Sequence, residues 1–131
     1  PLDKQRIFKN LKDALNLYAS SVSKIPIETK NEVYTVLASD IVCIEAHGRK
    51  ITVHTVDKDY DSIHTMQYWM DTLNMPCFFI SHRSYIVNLE YVSKFDHSLI
   101  YFSCNKLQAY LTRRKYTQFK DAYLIYLEST R

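Results

Sequence analysis

Phe79-Ile80-Ser81-His82-Arg83-Ser84-Tyr85-Ile86-Val87-Asn88 is the stretch on which the reading of this 131-residue chain turns. An apolar strand runs into three polar, hydrogen-bonding residues, His82, Arg83 and Ser84, and then back into apolar ones. β-branched and aromatic runs continue on both sides of it. Downstream, strand signals recur in Tyr91–Phe95, Leu99–Ser103 and Leu107–Leu111, with turns at Asp96-His97-Ser98 and Cys104-Asn105-Lys106. Upstream they occupy Val33–Val36, Ile41–Ile44 and Ile51–Thr55, and again Cys77–Ile80. Ala46-His47-Gly48-Arg49-Lys50 reads as a hairpin turn, because Gly48 can take positive φ. The charged cluster Asp57–Asp61 reads as a connection.

Three segments carry helical spacing instead. Ile63, Met66, Met70 and Leu73 predict an internal helix over Ser62–Asn74, capped by Ser62 and stopped by Asn74 and Pro76. Tyr116, Phe119, Tyr123 and Tyr126 predict a final helix with Thr112 as its N-cap. Leu2, Ile7, Leu11, Ala14, Leu15, Tyr18 and Val22 make residues 2–21 an amphipathic helix that starts on Pro1. The expected architecture is mostly β, with one short internal helix and a helix at each end. Residues 1–23 form the N-terminal helix and linker, and residues 24–131 the domain.

Composition excludes several function classes. Apolar residues make up 47% and charged ones 24%, as in ordinary globular chains. A lone glycine, Gly48, cannot write a GxGxxG turn or a two-glycine phosphate loop, so nucleotide-binding folds are out. Cys43, Cys77 and Cys104 lack CxxC spacing, which argues against a zinc site or disulfide framework and for reduced thiols in a cytosolic protein. No apolar run approaches the ~20 residues of a membrane span, and Pro1-Leu2-Asp3-Lys4 lacks a signal peptide's layout.

Charge is unevenly placed. Residues 1–75 carry 9 Lys/Arg against 10 Asp/Glu, whereas residues 76–131 carry 8 against 4. The basic excess centres on Arg113-Arg114-Lys115, which suits a polyanion partner. At the first turn of a helix three cations are opposed by the macrodipole, by ~0.3–1 kcal/mol each, unless an anion is held there. Arginine is also the side chain shaped to bond guanine O6 and N7 together.

Catalytic and metal readings are weaker. Cys43 and His47, four apart in a strand, sit about 13 Å from each other, too far to share an ion. His54 lies in an alternating strand, and His64 has no helical partner. Ser84 near His82 offers a nucleophile and a base for a small hydrolase, but nothing supplies an orienting acid or oxyanion donors. No cofactor, no metal and no enzyme activity are expected.

His82-Arg83-Ser84-Tyr85-Ile86-Val87-Asn88 resembles the signature of the LytTR family of bacterial DNA-binding domains. The resemblance continues to Tyr110-Leu111-Thr112-Arg113-Arg114 and back to Ser39-Asp40-Ile41-Val42-Cys43-Ile44-Glu45-Ala46-His47-Gly48-Arg49, covering roughly residues 25–125. It implies an elongated arrangement of small antiparallel sheets, without a helix-turn-helix, whose loops enter successive major grooves. Carried over position by position, the base-contacting residues are His47, Arg83 and Arg114. Arg49, Ser84, Tyr110, Thr112 and Lys115 are assigned to phosphates. His82 is read as structural, its ring beside Tyr85 and its nitrogens tying the loop down, and Asn88 as a backbone-bonding loop residue. Ser81 and Ala109 stand where some relatives carry cysteines, so thiol-based control in such relatives does not transfer.

Pro1-Leu2-Asp3-Lys4-Gln5-Arg6-Ile7 is similar to the start of the last helix in receiver domains of two-component response regulators. Together these resemblances imply the cytoplasmic output domain of a transcriptional response regulator. Its partners would be double-stranded DNA carrying tandem repeated sites, a receiver domain of the same chain and a cognate sensor kinase, with no membrane. The alternative is a protein–protein interaction module, for which the 11 tyrosines speak.

Overall fold

The computed structural model describes residues 23–103 and 107–129. The N-terminal helix expected over 2–21 and the turn expected at 104–106 lie outside them. Ten strands are described: β1 (Lys24–Glu28), β2 (Val33–Leu37), β3 (Ile41–His47), β4 (Lys50–Thr55), β5 (Asp59–Ser62), β6 (Phe78–His82), β7 (Tyr85–Asn88), β8 (Val92–Phe95), β9 (Leu99–Phe102) and β10 (Gln108–Tyr110). Two helices are described, α1 (Met66–Thr72) and α2 (Tyr116–Ser129). Short 3-10 turns at Ala38–Asp40, Leu89–Tyr91 and Arg113–Lys115 link elements. The domain is mostly β, as the sequence predicts.

All strand pairings are antiparallel and build three small sheets: β1-β2, the five-stranded β5-β4-β3-β7-β6, and β10-β9-β8. The middle sheet is buried on both faces, which is why Ile41–Ile44 and Tyr85–Asn88 are unbroken buried runs instead of alternating ones. Ile41, Ile44, Ile51, Val53 and Ile86 pack under α1 with Ile25, Ile27, Trp69 and Leu73. Val42, Cys43, Tyr85 and Val87 pack on the other side with Phe102, Leu111 and Phe119. Val42 is the extra residue of a bulge between Ile41 and Cys43, which explains why the sides do not alternate strictly.

Two expectations are corrected. The internal helix begins at Met66, not at Ser62, and its cap is Thr65, whose hydroxyl accepts from Tyr68 N at 3.2 Å. Ser62 instead ends β5 and accepts from Trp69 Nε1 at 3.0 Å and His64 N at 3.1 Å. The helix buries Trp69 and Leu73, while Ile63 is 55% exposed. Asp57–Asp61 is not merely a connection, since Asp59–Ser62 pairs with β4 as an edge strand. Its acids Asp59 and Asp61 are exposed and Tyr60 is turned in against Tyr34, ring centroids 4.8 Å apart. Charges on an edge strand oppose pairing with a second chain.

Candidate nucleic-acid interface

The loops that carry the expected site residues share one end of the five-stranded sheet. The β3–β4 turn is closed by His47 opposite Lys50, with Gly48 at φ 63° and Arg49 at negative φ, the sign pattern of a type II′ turn. The β6–β7 turn is closed by His82 opposite Tyr85, and there Arg83 and Ser84 both keep negative φ. Such a turn matches strand twist poorly, and a bulge at Ser81 beside it takes up the difference. His82 Nδ1 then accepts from Ser84 N at 3.0 Å and pins the turn. Burial first, then the positive charges of Arg83 and Lys115, hold the imidazole below its ordinary pKa, consistent with an accepting Nδ1.

Ser81 joins this turn to the start of the last helix. Fully buried, it donates from Oγ to Tyr110 O at 2.9 Å and accepts at its own carbonyl from Thr112 N at 3.2 Å. Thr112 caps the following turn, its hydroxyl accepting from Lys115 N at 3.2 Å. Lys115 Nζ donates to Ile80 O at 2.9 Å, so this ammonium is partly committed to the protein. The sequence reading missed Ser81 as a clamp.

His47, Ser84 and Tyr110 line one open cleft of about 420 Å³ with Ala46, Gly48, His82 and Tyr85. Tyr110 is 56% exposed, its ring 5.9 Å from that of His82 and 5.6 Å from that of Tyr85. Arg83 is exposed on the turn that forms one wall, and Arg113 and Arg114 are exposed on the turn that follows β10. Among the described residues no acid pairs with the guanidinium of Arg83, Arg113 or Arg114. Thr112 and Lys115 face inward as cap and clamp, and Arg49 lines a different cleft, with Lys30 and Lys50.

The acid nearest the cleft is engaged. Glu45, two residues before His47, accepts from Tyr85 Oη at 2.9 Å and meets His54 Nε2 at 2.8 Å. His54 Nδ1 meets Asp59 at 2.8 Å. The two carboxylates take opposite nitrogens of one ring, so His54 links Glu45 of β3 to Asp59 of β5. Burial and then Glu45 push the Tyr85 hydroxyl well above the ordinary phenol range, so it stays a donor. As for the thiols, Cys43 is buried and burial pushes Cys77 up to about 11, which leaves it a poor nucleophile.

Cationic loops on a β scaffold, with a helix start supplying two further arginines, define a loop-presenting nucleic-acid-binding domain. Residues 31–123 match the LytTr DNA-binding domain family, and the chain belongs to it. It is similar to the transcriptional regulatory protein NatR of Bacillus subtilis, 28% identical over 105 residues that cover 76% of this chain and 45% of that protein. It is also similar to the transcriptional regulatory protein LytR of Staphylococcus aureus, 25% identical over 81 residues, 62% of this chain and 33% of that protein. The chain thus spans less than half the length of these curated relatives. Its fold is that of the LytTr DNA-binding domain of a methyl-accepting/DNA response regulator from Bacillus cereus. The TM-score is 0.63 at 20% identity, over 76% of this chain and 95% of that one. No helix among the described residues is long and apolar enough to cross a membrane.

Proposed function

We propose that this domain recognises a short duplex DNA motif by placing three loops in successive major grooves, as the output domain of a transcriptional response regulator. The observation that carries the reading is the placement of the His47 and Arg83 turns at one end of the five-stranded sheet, with the Arg114 turn tied beside them through Ser81, and with Arg83 and Arg114 unpaired among the described residues. Arg83 and Arg114 read guanine edges, and His47 helps at one end. Ser84, Tyr110 and Arg49 touch phosphates. Lys115 and Thr112 contribute to phosphate binding at the helix start, with Lys115 using the donors left over from its bond to Ile80 O.

In the whole protein, a receiver domain phosphorylated by a sensor kinase would promote pairing on tandem sites in the cytoplasm. The relatives are named as transcriptional regulators, and the reading assigns no catalysis to this domain. The tyrosines give the rival protein-docking reading little surface, since among the ten described only Tyr110 is exposed.

Selection of bound sequences from a random duplex library, followed by salt titration, tests this. A single enriched motif is expected, with log affinity falling linearly in log salt at about 0.9 per phosphate neutralised. Arg83→Ala and Arg114→Ala should each lose ~1–3 kcal/mol on that motif and relax its preference at one G·C pair. No enrichment, or equal losses on random DNA, overturns the base-reading assignment.

A further inference from the structure

The cationic edge does not end at His47. The β1–β2 hairpin turns through Thr29–Glu32, and Thr29 braces the turn. Its N and Oγ1 both donate to Glu32 O at 2.9 Å, and its Oγ1 accepts from Glu32 N at 3.1 Å. Ile63 N donates to Glu28 O at 3.0 Å and holds this tip over the end of β5. Between the tip and the β3–β4 turn lies an open cleft of about 680 Å³ whose lining includes Lys30, Asn31, Arg49, Lys50 and Asp61.

The acids around that cleft each face a neighbour of their own. Glu28 meets His64 Nε2 at 3.3 Å. Glu32 lies by the Tyr34 hydroxyl and holds its pKa above the ordinary value. Asp61 meets Lys50 at 3.6 Å, but both side chains are more than 60% exposed, so the pair is weak and exchangeable. Lys30 and Arg49 remain, with Asn31 beside them as a neutral donor.

Sheet order fixes where this cleft falls relative to the recognition loops. From β5 the sheet runs through β4 and β3 to β7, so the loop ends follow in the sequence Ser62, Lys50/His47, Tyr85. Three inter-strand steps of ~4.8 Å make about 14 Å, which is roughly four base pairs at ~3.4 Å each. The Lys30 cleft therefore lies beyond His47, at the end opposite Arg114.

We propose that Lys30, Asn31, Arg49 and Lys50 form a phosphate-binding station that grips the DNA backbone flanking the recognised motif on the His47 side. The inference rests on the DNA-binding reading above and extends it by a region that grips the backbone and reads no bases. Phosphodiester oxygens are its ligand class, taken by the two ammonium groups as point charges and by Arg49 as a fork.

The test uses the 131-residue chain and the selected motif in two duplexes, one with ten flanking base pairs at each end and one trimmed to the motif on the His47 side. On the long duplex, the Lys30→Ala/Lys50→Ala double variant should bind several-fold more weakly. Its salt slope should fall by about 0.9 for each phosphate it no longer neutralises, and its base preference should be unchanged. On the trimmed duplex wild type and variant should bind alike, and Lys30→Arg should keep wild-type affinity on both. Unchanged affinity and slope on the long duplex overturn the station while Arg114→Ala still weakens binding. An equal loss on both duplexes also overturns it, since it would reduce these lysines to a diffuse field. If wild type itself selects no motif, the DNA-binding reading fails instead, and the two failures are distinct.

Discussion

The two sides of the five-stranded sheet are packed with different chemistry. Under α1 the core is aliphatic, with Ile25, Ile27, Ile41, Ile44, Ile51, Val53 and Ile86 around Trp69. Toward the three-stranded sheet and α2 it is rich in aromatics, and Phe119 meets Phe95 and Phe79 edge-on at centroid distances of 4.9 and 5.3 Å, with Tyr123 stacked at 6.2 Å. The aliphatic side fastens β1 and α1 onto the sheet. The aromatic side anchors β7, β10 and α2, which flank the Arg83 and Arg114 turns, through Tyr85, Ala109, Leu111 and Phe119. Both sides hold the sheet, and the Arg83 and Arg114 turns are tied to the aromatic one.

Large-to-small substitutions at the two centres probe this difference most strongly. Trp69→Ala and Phe119→Ala each empty a fully buried site and should each cost ~3–5 kcal/mol in urea unfolding. That is a large share of a small domain's stability, so Trp69→Phe and Phe119→Leu serve as milder partners. Phe119 lies one turn beyond Arg113–Lys115, so its variants should also weaken the DNA affinity of the folded fraction. The Trp69 variants should leave that affinity near wild type. Equal affinity losses from both sides would show that the interface is carried by the whole sheet.

Asn88 sits at the seam between the sides. Wholly buried at the end of β7, it donates from Nδ2 to Ile41 O at 2.8 Å and accepts at Oδ1 from Glu90 N at 2.9 Å. Asn88→Ala takes the amide donor from the buried Ile41 carbonyl and uncaps the Leu89–Tyr91 turn, and should cost ~1–3 kcal/mol. The unfolding midpoint should fall while base preference in a binding competition stays the same. A shifted preference would mean that the seam sets the spacing of the loops.

The aliphatic side was the more legible in sequence, apart from its helix. Ile41–Ile44 and Ile51–Thr55 announce strands through β-branching alone. The helix was misread because Ser62 is a good cap in isolation, while in the fold its hydroxyl serves Trp69 and His64 and its backbone pairs with Ile51. Trp69 fell outside the stripe of Ile63, Met66, Met70 and Leu73, yet it is the residue α1 buries most completely. β5 was hidden because an edge strand tolerates exposed acids, so its only apolar signal is Tyr60. On the aromatic side, Tyr116, Phe119, Tyr123 and Tyr126 fix α2 by spacing. Ser81 stayed silent, because a bulge and a clamp across 29 residues leave no local period. The motif could point to His47, Arg83 and Arg114, but spacing could not separate Arg49 from the cleft that His47 lines.

Acid should give the smallest effect in the series, through His82 on the aromatic side. His82 stands at its rim, 6.1 Å from the Tyr85 ring, with Nδ1 accepting from Ser84 N. Burial, then Arg83 and Lys115, depress its pKa in the folded chain, so the unfolded chain takes up the proton first as pH falls. Its contribution to stability is therefore complete above the ordinary histidine pKa of ~6.5. That contribution declines as pH drops below this value and levels off beneath the depressed folded pKa. His82→Asn should remove this part of the pH dependence. In paired urea titrations from pH 8 to pH 5, the gap between wild type and variant should narrow toward acid. A gap that widens toward acid would mean that the folded imidazole prefers its charged form, and the pinning of the Arg83 turn by a neutral His82 would be wrong.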